Sequence, residues 1–150
     1  MCVLDPEPNH DPFAVAFKLP KADLPERMAS LADQIKAFIR DDGRIHVDHW
    51  SSIFDHLVVE QPPYMSGRPG QAYVYLAAGV AIGALRSNIQ FKDITLVAPG
   101  TWKKVVCGNG NASKAEIKTA VLSAFPGLTT SQDAADAAGI ALWFARRRNL

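Results

Sequence analysis

Hydrophobic and polar positions along the 150-residue chain fall into helix-like and strand-like blocks. The clearest block runs from Met28 to Ile39, where apolar residues recur at helical intervals. Asp23 is the expected N-cap of this block, and residues 41–43 end it. We therefore expect an amphipathic helix whose apolar face packs on a sheet.

Short apolar runs predict the strands. Residues 2–5 and 13–18 are expected to form the two arms of a hairpin, and residues 94–98 a further strand. The run 57–61 is apolar on both faces, which is typical of a central parallel strand.

The stretch before that central strand is ambiguous. Ile45 and Val47 alternate with polar neighbours as in a strand. Ile53 and Phe54 instead follow a helical spacing. The pattern of residues 44–56 therefore leaves both structures open.

Four more helices follow. Their predicted ranges are 71–86, 101–106, 113–125 and 132–146. Ser113 and Glu116 have the spacing of a capping box at the start of the third of these. Strands and helices in this order predict an α/β fold in which residues 1–150 form a single domain.

Composition narrows the class of protein only a little. Cys2 and Cys107 are far apart in the sequence and suggest neither a disulfide framework nor a metal-ligand pair, so we expect a reducing compartment. The sequence has no apolar run of 18 residues and no secretory signal pattern at its start. A cytoplasmic protein without a membrane partner is the expectation.

The net charge of +1 hides an uneven distribution. Residues 1–60 carry six Lys and Arg against eleven Asp and Glu, whereas residues 61–150 carry ten against four. A basic second half is expected if that half faces a phosphate backbone. Chance clustering of charges is the alternative.

Four carboxylates stand on or beside apolar elements. They are Asp5 after the N-terminal run, Glu60 at the end of the central strand, and Asp133 and Asp136 at the start of the last helix. Burying a carboxylate is unfavourable unless a cation offsets the lost hydration. Divalent ions with oxygen ligands do so, and the clustered acids predict a Mg²⁺ site for phosphoryl chemistry.

Each acid also has a simpler explanation. Glu60 fits a salt-bridged residue at a strand end, and Asp133 fits an ordinary N-cap. N-capping leaves Asp136, which lies among alanines, unexplained. Because residues three apart share one helix face, a shared cation accounts for both aspartates.

Four motifs carry a resemblance to a known family. They are Val59-Glu60-Gln61 after a strand, Pro99 to Lys104 opening a helix, the loop Gly108 to Lys114, and Gln132 to Ala137. In this order, across residues 57–145, they resemble RuvC-type Holliday-junction resolvases of the RNase H-like superfamily. The resemblance implies an RNase H-like α/β fold, with a mixed central sheet flanked by helices.

The same resemblance implies a function. It predicts a Mg²⁺-dependent endonuclease that resolves four-way junctions in branched DNA by paired symmetric nicks, in a bacterial or phage-infected cell. The expected metal ligands hold two Mg²⁺ per active site, with Mn²⁺ as a substitute, and are Asp5, Glu60, Asp133 and Asp136. Two symmetric nicks imply a homodimer. The Ala- and Gly-rich helix 71–86 is its candidate interface, with packing inside the subunit as the alternative.

Basic residues are assigned by the resemblance as well. Lys103 and Lys114 occupy the places of two family lysines that contact DNA and support catalysis, and Lys114 is the predicted catalytic one. Lys104 is a further expected DNA contact, and a solvated helix face is the alternative for all three lysines. Tyr64 lies near the place of a stacking aromatic, with Arg68 as a companion phosphate contact. A packed loop tyrosine is the alternative for Tyr64.

The N-terminus departs from the family pattern. Asp5-Pro6 is followed by Glu7, where the family has Gly, and Asp11 is another acid nearby. The sequence leaves open whether either of these joins the metal site.

Two other functions remain open, and some residues have no part in the resemblance to resolvases. A broader nuclease of flaps and forks is a rival function, and a catalytically silent junction-binding module is another. Trp102 and Trp143 are expected in the core. The basic run 146–148 fits either a phosphate contact or a solubilising tail.

Overall fold

The computed structural model describes residues 2–3, 13–14, 17–41, 53–62, 70–87, 90–128 and 131–148. The described elements are, in order, β1 (Cys2–Val3), β2 (Phe13–Ala14), α1 (Leu24–Asp41), β3 (Ile53–Glu60), α2 (Gln71–Arg86), β4 (Gln90–Val97), α3 (Pro99–Cys107), α4 (Lys114–Ala124) and α5 (Gln132–Arg148). They confirm the predicted α/β class. None of these described helices is long and apolar enough to cross a membrane.

The contacts within the chain divide it into two compact units. The first unit comprises Met1–Ala16, Val58–Gln61 and Leu96–Leu150, and the second comprises Phe17–Leu57 and Pro62–Thr95. The single domain expected from the sequence stays a prediction.

In the second unit, α1 packs against α2. Asp23 caps α1, because its Oδ1 accepts a 3.0 Å hydrogen bond from the backbone N–H of Glu26, as the sequence predicted. The apolar face of α1 buries Met28, Ile35 and Ile39. We expected a sheet beneath this face, whereas its main described contact is a helix. The small side chains of α2 explain the difference, since they let a second helix approach closely.

α2 occupies its predicted range and is apolar on more than one face. Large side chains near its start are 42–56% exposed: Tyr73, Val74, Tyr75 and Leu76. Ala84 and Leu85 near its end are buried. The first half of α2 therefore presents apolar surface to solvent.

The main core of the first unit lies among α3, α4 and α5. Trp102, Ile117 and Val121 are completely buried there, and Trp143 is 4% exposed. The prediction that both tryptophans belong to the core is confirmed. α5 also contacts β1 and β2, which pair antiparallel as the predicted hairpin.

β3 and β4 pair in parallel and are longer than their sequence patterns indicated. β3 begins at Ile53, so the helical spacing read at Ile53 and Phe54 was wrong. β-branched and aromatic residues favour a strand where a partner strand is available, which decides this ambiguous stretch. At the carboxyl end of the pair, the N–H of Gln61 donates a 2.8 Å hydrogen bond to the carbonyl of Val97.

Among the described residues the strands form two separate pairs. A single mixed central sheet therefore stays a prediction.

Candidate active site

Glu60 is the last residue of β3 and is half-buried in the first unit. Burial raises the pKa of its carboxyl above the ordinary value, because the charged form loses hydration. The indole of Trp102 lowers that pKa, the negative charge of Asp136 raises it, and the ammonium of Lys103 lowers it. The carboxylate of Asp136, on a helix, is therefore close enough to act on the carboxylate of Glu60 at the end of a strand.

Asp136 lies in the second turn of α5, among buried alanines. Its side chain is half-buried, and its Oδ1 atom is fully buried without a hydrogen-bond partner among the described residues. A carboxylate oxygen in that position costs free energy unless a cation or a donor reaches it. The N-capping explanation does not apply to this residue, as the sequence already indicated.

Glu60 and Asp136 are thus brought together, while other predicted ligands are placed differently or lie beyond the described residues. Asp5 falls outside the described residues, as do Glu7 and Asp11. Within the described part of the chain, no three His, Cys, Asp or Glu side chains group closely enough to hold a metal ion.

Asp133 lies one turn before Asp136 on α5 and is more exposed than Asp136. It is 82% exposed, and its Oδ1 lies 4.0 Å from Nζ of Lys114. Ser131 is the residue that caps α5, since its Oγ accepts a 3.3 Å hydrogen bond from the N–H of Ala134. The alternative that Asp133 is a simple N-cap is therefore wrong, and its carboxylate is available for other contacts.

Lys114 is the first residue of α4, and its backbone is fixed from two sides. Ser113 and Glu116 form the predicted capping box, and their hydrogen bonds lower the pKa of Glu116. The Nε2 of Gln132 donates a 3.0 Å hydrogen bond to the carbonyl of Lys114. Gln132 thus joins the start of α4 to the start of α5, a role that sequence reasoning missed.

Lys103 and Lys104 are neighbours on α3 with different surroundings. Lys103 is half-buried, with its Nζ 5.7 Å from the ring centroid of Trp102. It is also close enough to Glu60 to lower the pKa of that carboxyl. Lys104 is exposed. Of the two, Lys103 is the one at the acid pair.

In the glycine-rich loop after α3, Gly108 and Gly110 occupy backbone positions that favour glycine. Gly108 caps α3 in the left-handed region, with φ of 76°. A Cβ at Gly110 would lie 3.0 Å from the carbonyl oxygen of Gly100, so the two backbones approach closely. Asn109 Oδ1 accepts a 3.0 Å hydrogen bond from the N–H of Asn111. The loop amide of Asn111 is therefore already used within the loop.

Two predicted DNA contacts, Tyr64 and Arg68, lie outside the described residues. At the other end of the chain, Arg146 has a structural role. Its Nη1 donates to the carbonyls of Val105 and Val106 at 3.2 and 3.4 Å, and so satisfies the last turn of α3. Arg146 is therefore more than a loose tail residue.

Solved structures of RuvC from Thermus thermophilus resemble this chain over nearly its full length. A structure of T. thermophilus RuvC matches with a TM-score of 0.64 and 15% identity, covering 98% of this chain and 87% of that chain. The chain has a RuvC-like fold. T. thermophilus RuvC in complex with Holliday junction substrate matches with a TM-score of 0.60 and 16% identity, covering 93% of this chain and 83% of that chain.

The RuvC-like fold confirms the resemblance carried by the four motifs. No family model matches the sequence, and no curated protein sequence matches it either. At these identities the structural likeness establishes the fold, and the activity has to be argued from the residues.

Proposed function

We propose that this protein is a Mg²⁺-dependent endonuclease that resolves four-way DNA junctions by paired symmetric nicks. One observation carries the proposal: within a RuvC-like fold, the half-buried carboxylates of Glu60 and Asp136 lie close together, and a buried Asp136 oxygen lacks a partner. That pair is an oxygen-donor set of the kind that hard divalent cations take. The mixed central sheet expected of the fold is part of the same proposal.

The residues present fit Mg²⁺. Glu60 and Asp136 would hold the ion, with Asp133 and Asp5 completing a two-ion site that also accepts Mn²⁺. When bound, Mg²⁺ supplies a polarised scissile phosphate and a water of lowered pKa. A water activated in this way would attack phosphorus while the bond to the 3′-oxygen breaks, which would leave a 5′-phosphate and a protonated 3′-hydroxyl, so no protein nucleophile would be required.

Basic side chains supply the rest of the site. Lys114 lies beside Asp133, and its ammonium would stabilise charge that develops on the phosphate. Lys103 faces the acid pair at Glu60, and Lys104 offers an exposed charge on the same helix. Tyr64 and Arg68 complete the proposed DNA contacts.

A homodimer follows from the symmetry of the substrate. A junction with two-fold symmetry needs one nick on each of two strands, and two related subunits deliver them together. The open face of α2 supports this, because Tyr73, Leu76, Gly79 and Gly83 recur at helical spacing and all are exposed. An added Cβ at Gly79 or Gly83 would meet no atom within 4 Å, so both open onto free space in the subunit.

The deciding experiment is a cleavage assay on matched DNAs. A four-way junction, a flap, a fork and a duplex of shared sequence are incubated with the protein in Mg²⁺ or in EDTA. We expect symmetric nicks on the junction in Mg²⁺ and none in EDTA. Equal cutting of the flap would support the broader nuclease, and junction binding without any cut would support the silent module. Either result would overturn junction resolution as the function.

A further inference from the structure

Trp102 is enclosed between the two elements that carry the acid pair. It lies on α3 and is completely buried. Its ring packs against Gly139 of α5 so closely that a Cβ there would be 2.7 Å from Cζ3, a separation that real Cβ atoms do not show. Only glycine therefore fits at position 139 with this ring in place.

Gly139 and Asp136 belong to the same face of α5. Residues three apart on a helix are surface neighbours, so the indole covers the face from which Asp136 projects. The position of the ring against the bare backbone at Gly139 thus fixes how near α3 lies to the Asp136 turn of α5.

The N–H edge of the same indole lies near the carboxylate of Glu60. Nε1 is buried and makes no hydrogen bond of ordinary distance and angle with any residue that the structure describes. It nonetheless stands close enough to Glu60 to favour the charged carboxylate. A buried N–H without a partner is unfavourable, so a small rotation of the Glu60 carboxylate toward Nε1 is favourable.

We propose that Trp102 is a positioning residue that holds the Glu60 and Asp136 carboxylates at the separation and orientation a divalent cation requires. Its ring sets the approach of α5 through Gly139, and its N–H lies beside the Glu60 carboxylate, where a small rotation of the carboxylate would let it engage one oxygen and leave the other for the cation. This inference rests on the proposed function, since it assigns the cation site to the same two acids.

A purely structural role is the competing explanation, and Trp143 provides the comparison. Both tryptophans belong to the same buried cluster, and a cation lies near each ring: Lys103 beside Trp102 and Arg147 beside Trp143. Trp102 also acts on a carboxylate, that of Glu60. A matched substitution at each therefore separates loss of packing from loss of positioning.

The test compares Trp102→Phe with Trp143→Phe in the full chain. Mn²⁺ affinity is measured without DNA by calorimetry and by the electron paramagnetic resonance signal of unbound Mn²⁺. Thermal unfolding is measured in EDTA. Removing a partner of a metal ligand commonly costs 10–100-fold in metal affinity, so we expect Trp102→Phe to bind Mn²⁺ about tenfold more weakly. Trp143→Phe should lose comparable stability yet keep wild-type Mn²⁺ affinity.

A second variant covers the case in which Trp102→Phe does not fold. Gly139→Ala keeps the indole N–H but displaces the ring, and should weaken Mn²⁺ binding to a similar degree. Gly127→Ala is its control, because an added Cβ there meets no atom within 4 Å. Junction binding in EDTA should be unchanged in all four variants. Any loss of cleavage in Trp102→Phe and Gly139→Ala then comes from a slower cleavage step and not from weaker DNA binding.

The outcomes distinguish this inference from the proposed function. If the wild type cuts junctions while Trp102→Phe and Gly139→Ala retain wild-type Mn²⁺ affinity, positioning by Trp102 is overturned and the nuclease proposal survives. If Mn²⁺ binds in a manner that Asp136→Asn and Trp102→Phe both weaken, but no junction is cut, positioning stands and the function falls. A wild type that binds no Mn²⁺ would overturn positioning outright.

Discussion

The two compact units of the chain place their apolar side chains differently. The buried cluster around Trp102 and Trp143 lies entirely in the first unit. Of the seven large apolar side chains that are exposed in the described residues, five belong to the second unit: Tyr73, Val74, Tyr75, Leu76 and Ile94. The first unit thus contains this buried cluster and the acid pair, whereas the second unit exposes most of the large apolar side chains that are exposed in the described residues.

Under the proposed function, the first unit carries the chemistry and the open face of α2 in the second unit carries the assembly. If this assignment is right, substitutions in the first unit should change the rate of strand cleavage in a subunit that still assembles. Substitutions on the open face of α2 should change assembly in a subunit whose active site is intact.

The largest expected effect tests the acid pair. Asp136→Asn and Glu60→Gln should each lower cleavage by about a thousandfold or more, because several kcal/mol of charge stabilisation by the metal are lost. Junction binding should be retained or tighter, since negative charge facing phosphate is removed. Single-turnover cleavage and gel-shift binding measure the two effects. Asp33→Asn, an exposed acid on α1 of the second unit, is the control, and a near-wild-type rate for Asp136→Asn would contradict the assignment.

The next effect concerns the second unit. Leu76→Glu places a charge on the open face of α2, and should give folded monomers by sedimentation and circular dichroism. Paired incision should fall by roughly a hundredfold, because the second nick loses the high effective concentration that a dimer provides. Ala78 is half-buried, so a charge there would mix loss of assembly with loss of packing. A stable dimer of Leu76→Glu would remove this face from the interface.

A smaller difference is expected between two lysines of the first unit. Lys114→Ala should slow cleavage about tenfold or more with little change in junction affinity, since its ammonium acts on the developing charge. Lys104→Ala should mainly weaken binding and reduce its dependence on salt. Binding titrations at several salt concentrations and single-turnover rates separate the two. Lys36→Ala on α1 provides the baseline, and equal small losses for Lys104 and Lys114 would reduce both to general surface charges.

The smallest expected effect is on stability. Arg146→Ala removes the side chain that satisfies the last carbonyls of α3, and should lower the free energy of unfolding by about 1 kcal/mol. Chemical denaturation measures the loss. Arg27→Ala, an exposed arginine on α1, should stay within about 0.5 kcal/mol of wild type. If both variants match the wild type, Arg146 does not contribute to the end of α3.

Helix ends were the most predictable part of the fold. Asp23 and Ser113 cap their helices as their spacing to Glu26 and Glu116 indicated, because a capping side chain acts over three residues of the same segment. Strand extents were less predictable. β3 begins at Ile53 because it has β4 as a partner, and pairing between distant segments leaves no local periodic signal that fixes a strand's start.

The candidate site was likewise partly predictable from the sequence and partly not. The sequence alone determined which residue types stand at Glu60, Asp133, Asp136 and Lys114, and their cost on apolar elements was enough to suggest a cation. It treated Asp133 and Asp136 alike, since both follow from the same helical spacing. Tertiary structure distinguished them: Asp136 turns toward Glu60 and buries an oxygen, while Asp133 remains exposed beside Lys114.

The environment of Trp102 was likewise settled only by tertiary structure. A buried tryptophan is the ordinary expectation for that residue in any apolar pattern, and its sequence position says nothing about Glu60, 42 residues earlier, or Gly139, 37 residues later. Burial follows from hydrophobicity, which each residue carries with it. The Trp102 ring meets the Gly139 backbone and the Glu60 carboxylate because α3 packs against α5 at the end of β3. That packing exists only once the chain has folded.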